Sequence, residues 1–301
     1  MGHDHSHAGH QHSHGESTKN LGIAFFLNLG FAIIEIIGGL WTNSVAIISD
    51  AVHDFGDAFS IGVSFFLERY SKKKRTVTFT YGYKRFSTLG ALINSIVLLV
   101  GSIFVFMETI PRLFHPVPVN YSGMMWLAVA GLAVNGFAAL RLMKGNSISQ
   151  RAVMLHLLED VLGWLAVLIG SVIIRYTEWY FIDPLLSICI GIFILTNVCR
   201  NLYAIFRILL QATPDHMPED KVKTILQEVP GVKEVHDLHV WTLDGEKNIA
   251  SAHLIVADDT SREEVIRVKH DAVDRLKEAG IDHLTVEIEY ETEGCYSCPV
   301  E

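Results

Sequence analysis

Charge is what the first two thirds of this chain lack. Between Leu21 and about Leu210 long apolar runs carry few ionisable residues, and half of all 301 residues are apolar. A bilayer-spanning helix needs about 20 mostly apolar residues. That stretch has room for several spans, and Pro214 to Glu301 has room for none. A basic excess is missing as well: the net charge is −9, which argues against a nucleic-acid binder held by phosphate contacts. Cysteine is scarce. Cys189 and Cys199 lie in an apolar stretch, and Cys295 and Cys298 lie near the end, which makes no disulfide framework of the secreted type. The first 20 residues are polar and His-rich rather than basic then apolar, so no cleavable signal peptide is expected. There is no His-Glu-x-x-His, no Gly-x-Ser-x-Gly and no phosphate loop, so the chain is not expected to be an enzyme.

Six spans are expected: Leu21–Trp41, Val45–Glu68, Phe86–Ile110, Ser122–Met143, Ala152–Tyr176 and Ile182–Leu209. The breaks are Trp41-Thr-Asn-Ser44, the basic run Lys72-Lys-Lys-Arg75, Pro111 to Pro118, Lys144-Gly-Asn146 and Tyr176-Thr-Glu-Trp-Tyr180. Arg69, Lys72 to Arg75, Lys84 and Arg85 lie between spans two and three, and Arg141, Lys144 and Arg151 flank the connection from four to five. The opposite connections offer chiefly Arg112 and Arg175. By the positive-inside rule both termini are cytoplasmic, in a bacterial inner membrane or an organelle membrane.

Three regions follow: a His-rich tail (1–20), a transport domain (21–210) and a cytoplasmic domain (213–301). The last carries 9 Lys/Arg against 21 Asp/Glu, whereas the rest carries 15 against 12. Within it, Asp220–Glu228 and Ser261–Ala279 have helical spacing. Val235–Leu243, Asn248–Val256 and Leu284–Tyr290 alternate like strands, with a turn at Asp244-Gly245. The order α-β-β-α-β describes a small α+β domain of helices on a sheet.

Ionisable side chains inside a span are costly, so each is a functional candidate. The second span contains Asp50-Ala-Val-His53-Asp54-Phe-Gly-Asp57, and the fifth contains His156-Leu-Leu-Glu159-Asp160. In each, a His and an Asp stand four residues apart, one turn along the same helical face. Two such faces together offer two imidazole nitrogens and two carboxylates, a tetrahedral set that Zn²⁺ accepts. A single such pair would read equally well as a hydrogen-bonded structural pair; its repetition in two spans favours a metal site. Asp50, Asp54 and Glu159 line a route, carry protons or bond neighbouring helices. Glu35, alone in the first span, is a packing or pathway acid, and Asn28, Asn94 and Asn135 are expected to bond between helices.

Ser44-Val-Ala-Ile-Ile-Ser-Asp-Ala-Val-His-Asp-Phe-Gly-Asp57, Tyr81-Gly-Tyr-Lys-Arg85 and the second His-x-x-x-Asp pair resemble the cation diffusion facilitator family, from about Leu21 to Tyr290. The resemblance implies a six-span homodimer with a ferredoxin-like cytoplasmic domain, exchanging Zn²⁺ for H⁺. The His in the second-span pair resembles the zinc-transporting members; manganese-type members tend to carry Asp there. His53, Asp57, His156 and Asp160 would form the transport site. In the cytoplasmic domain His236, His253 and Glu289 match metal-binding positions, and Glu287 stands where relatives often have His. Zn²⁺ is then both cargo and regulatory ligand, with Cd²⁺ and Co²⁺ as further cargo. Some bacterial relatives bind zinc between spans two and three. Ser71–Tyr83 has neither His nor Asp, so no site is expected there.

Chemistry gives the exchange a reason. Metal binding requires neutral His and ionised Asp, so protons and Zn²⁺ compete, and histidine ordinarily titrates near pH 6.5. The head packs six of fifteen His into its first 14 positions, a composition that binds metal weakly. Cys295-Tyr-Ser-Cys298 has the spacing of a metal half-site or is incidental. The competing reading is a membrane-anchored zinc sensor without transport. The partners expected are divalent metal ions, protons, membrane lipids and a second copy, not nucleic acid.

Overall fold

The computed structural model describes residues 14–71, 73–142 and 148–293. Six long helices come first: α1 (His14–Thr42), α2 (Val45–Ser71), α3 (Arg85–Phe114), α4 (Tyr121–Leu142), α5 (Ile148–Thr177) and α6 (Ile182–Leu209). A smaller set follows: α7 (Glu219–Gln227), β1 (Glu234–Thr242), β2 (Asn248–Val256), α8 (Arg262–Ala279) and β3 (His283–Tyr290). The chain forms two compact units. One holds the chain up to Glu68 with Gly90–Asn201; the other holds Arg69–Leu89 with everything from Leu202.

Among the described residues, four helices are long and apolar enough to cross a membrane, over Arg85–Phe114, Tyr121–Leu140, Leu157–Thr177 and Ile182–Leu209. In α1 the described apolar stretch is the shorter Leu29–Thr42. The acids Asp50, Asp54 and Asp57 make α2 more polar than the others. The expected breaks have a backbone cause: Asn43 and Glu178 take left-handed φ values of 56° and 58°, which stop a helix. Pro111 does not end α3, which continues to Phe114; one lost bond in a last turn is tolerable where an interior one is not.

The first unit is built around α4 and α5. Met124 and Ala128 of α4 pack with Trp164, Val167 and Ile174 of α5 and with Ala46 and Ile47 of α2. Gly131 makes the close approach possible. A Cβ there would lie 2.4 Å from the ring of Trp164, itself fully buried.

In the second unit β2 is central, antiparallel to β1 and parallel to β3. The parallel pair is joined through α8, as a βαβ crossover requires. Val235, Val240, Ala250, Ala252, Leu254 and Val256 face α7 and α8 through Val222, Leu226, Val268, Ala272 and Leu276. Because strand side chains alternate, the opposite sheet face carries His236, His253, Glu287 and Glu289. Helix α8 starts with a capping box between Ser261 and Glu264. The Ser261 amide and hydroxyl hold the Glu264 carboxyl below its ordinary range, so this cap is present at neutral pH and is lost as pH falls through the lowered value. The His-rich tail up to Gln11-His12-Ser13, the Lys144–Asn146 break and Cys295/Cys298 lie outside the described residues.

Gly131→Val should force Trp164 from its slot and lower stability by about 1–3 kcal/mol. Thermal unfolding of the purified protein would show it, and Trp164→Leu in the same chain should restore part of the loss.

Candidate metal centres

Helix α2 is held at its first turn. The buried Asp183 carboxylate of α6 accepts from the backbone N–H of Val45 at 2.8 Å and of Ala46 at 3.4 Å, and from the Ser44 hydroxyl. A carboxylate at a helix N-terminus satisfies orphan donors and opposes the helix dipole. On the residue just before, Arg112 donates to the carbonyl and side-chain oxygens of Asn43 at 3.0 and 2.9 Å. Three turns on, Gly56 leaves room for Leu98 of α3; a Cβ there would stand 2.1 Å from it.

From that anchor α2 presents its acids in order. Asp50 is buried, and its Oδ1 lies 3.7 Å from where a Cβ on Gly163 of α5 would be. The first turn of α2 shares one core cluster with Trp164, Val167 and Ile174 of α5. His53 Nε2 lies 3.7 Å from Asp57 Oδ2, and both side chains are mostly covered. Asp160 is buried. His156 occupies α5 one turn before Asp160; its side chain lies outside the described residues.

A further acid joins them. Glu35 of α1 is only 1% exposed and lies within electrostatic reach of Asp54, Asp50 and Asp160. Three helices thus bring carboxylates to one region of the bundle, and only the helix assembly reveals it, because nothing local in α1 distinguishes Glu35 from a packing acid. Glu159 is exposed, so it points away from this group. Asn94 Oδ1 and Asn135 Nδ2 are buried without a hydrogen-bond partner among the described residues, so the expected bonds between helices are not made there.

The second cluster lies on the open face of the sheet. His236 and His253 are cross-strand partners, and Glu289 reaches both: its Oε2 is 2.8 Å from His236 Nε2 and its Oε1 is 2.8 Å from His253 Nδ1. One ligand atom from each of the three lies within 4.8 Å of the others. Glu287 is peripheral, its Oε2 3.6 Å from His253 Nε2 and its side chain 63% exposed.

Asp237 belongs to this cluster although its sequence position did not single it out. The register of β1 shifts between His236 and His239, and Asp237 sits in that bulge with φ 45°. The extra residue re-aims its neighbours. Asp237 Oδ2 stands 3.4 Å from His253 Nε2, and its Oδ1 3.1 Å from His239 Nε2. An Asp between two His, of a type that tolerates left-handed backbone, is the one signal that could have found it. His216 accepts no such role: its Nε2 is 3.0 Å from Asn248 Nδ2. His283 is at the far end of β3 from Glu289, about 20 Å along the strand.

Asp183→Ala should leave the first amides of α2 unpaired in an apolar setting. The expected cost is about 1–3 kcal/mol, read as a lower unfolding temperature, with Asp183→Asn keeping part of the stability.

Residues 21–210 match the cation efflux transmembrane domain, and residues 214–291 match the cytoplasmic domain of cation efflux proteins. The chain is similar to the zinc transporter ZitB of Pectobacterium atrosepticum, 34% identical over 94% of this chain and 89% of that one. It is 32% identical to the cadmium, cobalt and zinc/H(+)-K(+) antiporter of Bacillus subtilis, over 94% of this chain and 92% of the relative. With the ZitB of Escherichia coli the identity is 31%, over 97% and 93%. With a transmembrane match over 21–210 and such relatives along nearly its whole length, this multi-pass membrane protein belongs to the cation efflux family, the cation diffusion facilitators.

Proposed function

We propose that the chain is a proton-coupled Zn²⁺ efflux antiporter, moving zinc out of the cytoplasm against protons. One observation supports this: Asp50 of α2 approaches Gly163 of α5, and each of these helices bears a His-x-x-x-Asp pair among further buried carboxylates. His53, Asp57, His156 and Asp160 are the transport ligands in this reading. Helices α1 and α2 complete a set of six spans; α2, at 27 residues, is about 40 Å long and its acids are tolerated because they line the site rather than meet lipid. The tail (1–20), the transport domain (21–210) and the ferredoxin-like cytoplasmic domain (213–301) keep both termini in the cytoplasm of a bacterial cell, by the placing of basic residues. The chain works as a homodimer.

The exchange follows from one site and two competitors. Loaded from the cytoplasm, ionised Asp57 and Asp160 and neutral His53 and His156 hold the metal. Facing the more acidic side, the same groups take protons and the metal leaves. A tetrahedral set with no open position suits carriage rather than hydrolysis. The relatives' names include zinc, cadmium and cobalt, and this donor set accepts all three. Glu35, Asp50 and Asp54 supply further proton-accepting groups beside it.

The cytoplasmic cluster is a second zinc site with a regulatory role. His236, His253 and Glu289 are its ligands, Glu287 a peripheral donor, and Asp237 orients the His253 ring through the nitrogen that Glu289 does not contact.

In proteoliposomes Asp57→Ala or His156→Ala should abolish zinc flux, and collapsing the pH gradient in the unaltered protein should stop uphill movement. Absence of flux in the unaltered protein would make the chain a membrane-anchored sensor, flux that survives both substitutions would remove these residues as transport ligands, and uphill flux without a gradient would remove the proton coupling. At the cytoplasmic site, Asp237→Ala should weaken zinc binding roughly 10- to 100-fold while His253→Ala removes it. Titrating the purified protein with zinc measures both, and transport should persist in each.

A further inference from the structure

Apart from both metal clusters, the second unit contains an open cavity of about 670 Å³. Lys73, Arg75, Lys84 and Lys247 line it, with Tyr81 and His283 beside them. The four cations come from three segments, Lys73 and Arg75 sharing one. Lys73 lies two residues beyond the end of α2, Lys84 directly precedes α3, and Lys247 closes the β1–β2 hairpin loop. Gathering like charges around a concavity is unfavourable unless carboxylates offset them. Among the described residues none of the four forms an ion pair, although the domain that supplies Lys247 is rich in acids. The carboxylate in the lining, Asp282, is committed elsewhere: its Oδ2 accepts from the Asn248 backbone N–H at 3.0 Å. The Lys73 ammonium stands 3.8 Å from the centre of the Tyr70 ring.

We propose that this cavity binds a phosphate-bearing anion, a role separate from metal carriage. Its volume falls in the range of small-ligand pockets. A guanidinium and three ammonium groups match phosphate oxygens by charge, and Arg75 adds the planar fork. Covalent connection places Lys73 and Lys84 within a few residues of two long helices, at the depth where acidic phospholipid headgroups concentrate negative charge. The buried Leu243 and Ile249 give the cavity an apolar side suited to the glycerol of such a headgroup. The phosphate comes from a lipid headgroup or from free phosphate, and the experiment separates the two.

Full-length protein in a neutral detergent is titrated by calorimetry with dihexanoyl phosphatidylglycerol, dihexanoyl phosphatidylcholine or inorganic phosphate. Saturable binding of phosphatidylglycerol without binding of phosphate assigns the site to a lipid headgroup. Saturation by phosphate alone at comparable concentration assigns it to the free anion. Each cation removed should weaken binding about fivefold, so Lys73→Gln with Lys247→Gln should weaken it at least tenfold. An unchanged melting temperature in that variant confirms its fold; if it is lowered, Arg75→Gln, an exposed loop change, is read in the same way. Undiminished binding in the folded variant, phosphatidylcholine binding as tightly as phosphatidylglycerol, or no saturation by any probe would each overturn the proposal.

Discussion

Carboxylates inside an apolar bundle are the constraint on which the rest of this molecule turns. Glu35, Asp50 and Asp160 are buried there, and His53 and Asp57 are mostly covered. An ion removed from water costs several kcal/mol unless opposite charge or hydrogen bonds compensate. A bundle that keeps so many acids together needs cations or protons to neutralise them. One divalent metal or two protons supply the same positive charge, which is the physical basis for exchanging one kind of cation against the other.

Such a site needs helices that do not drift. The Asp183 carboxylate grips the first amides of α2, Arg112 holds Asn43 just before them, and Gly56 and Gly131 let α3 and α5 approach as closely as backbone allows. None of these residues is a proposed ligand. They decide where the proposed ligands stand, in the way that supporting hydrogen bonds and packing orient any metal site.

The sheet domain solves the opposite problem. Its cluster lies on the sheet face away from α7 and α8, where His253 and Glu289 are nonetheless buried, and it needs a geometric cause. Strand alternation puts His236, His253 and Glu289 on one face, and the bulge at Asp237 turns a fourth group toward His253. That bulge was not legible in the alternation of β1, because one extra residue changes register without changing composition. Glu287, singled out by the family resemblance, lies on that same face yet extends into solvent.

Local rules were enough for the element order, the strand pattern of β2, the break at Asn43 and the two His-x-x-x-Asp spacings, since each depends on residues within a few positions of one another. The same rules placed Glu35 in the first span and Asp183 at the start of α6 but could not say what either touches. Contacts between α1, α2, α5 and α6 are set by packing among side chains more than a hundred residues apart, such as Ser44 with Asp183. The sequence by itself determined which groups are available to bind a cation. Only the tertiary structure decided which acids share one region, which carboxylate secures α2, and which unpaired cations face one cavity, because those depend on distance in space and not on spacing along the chain.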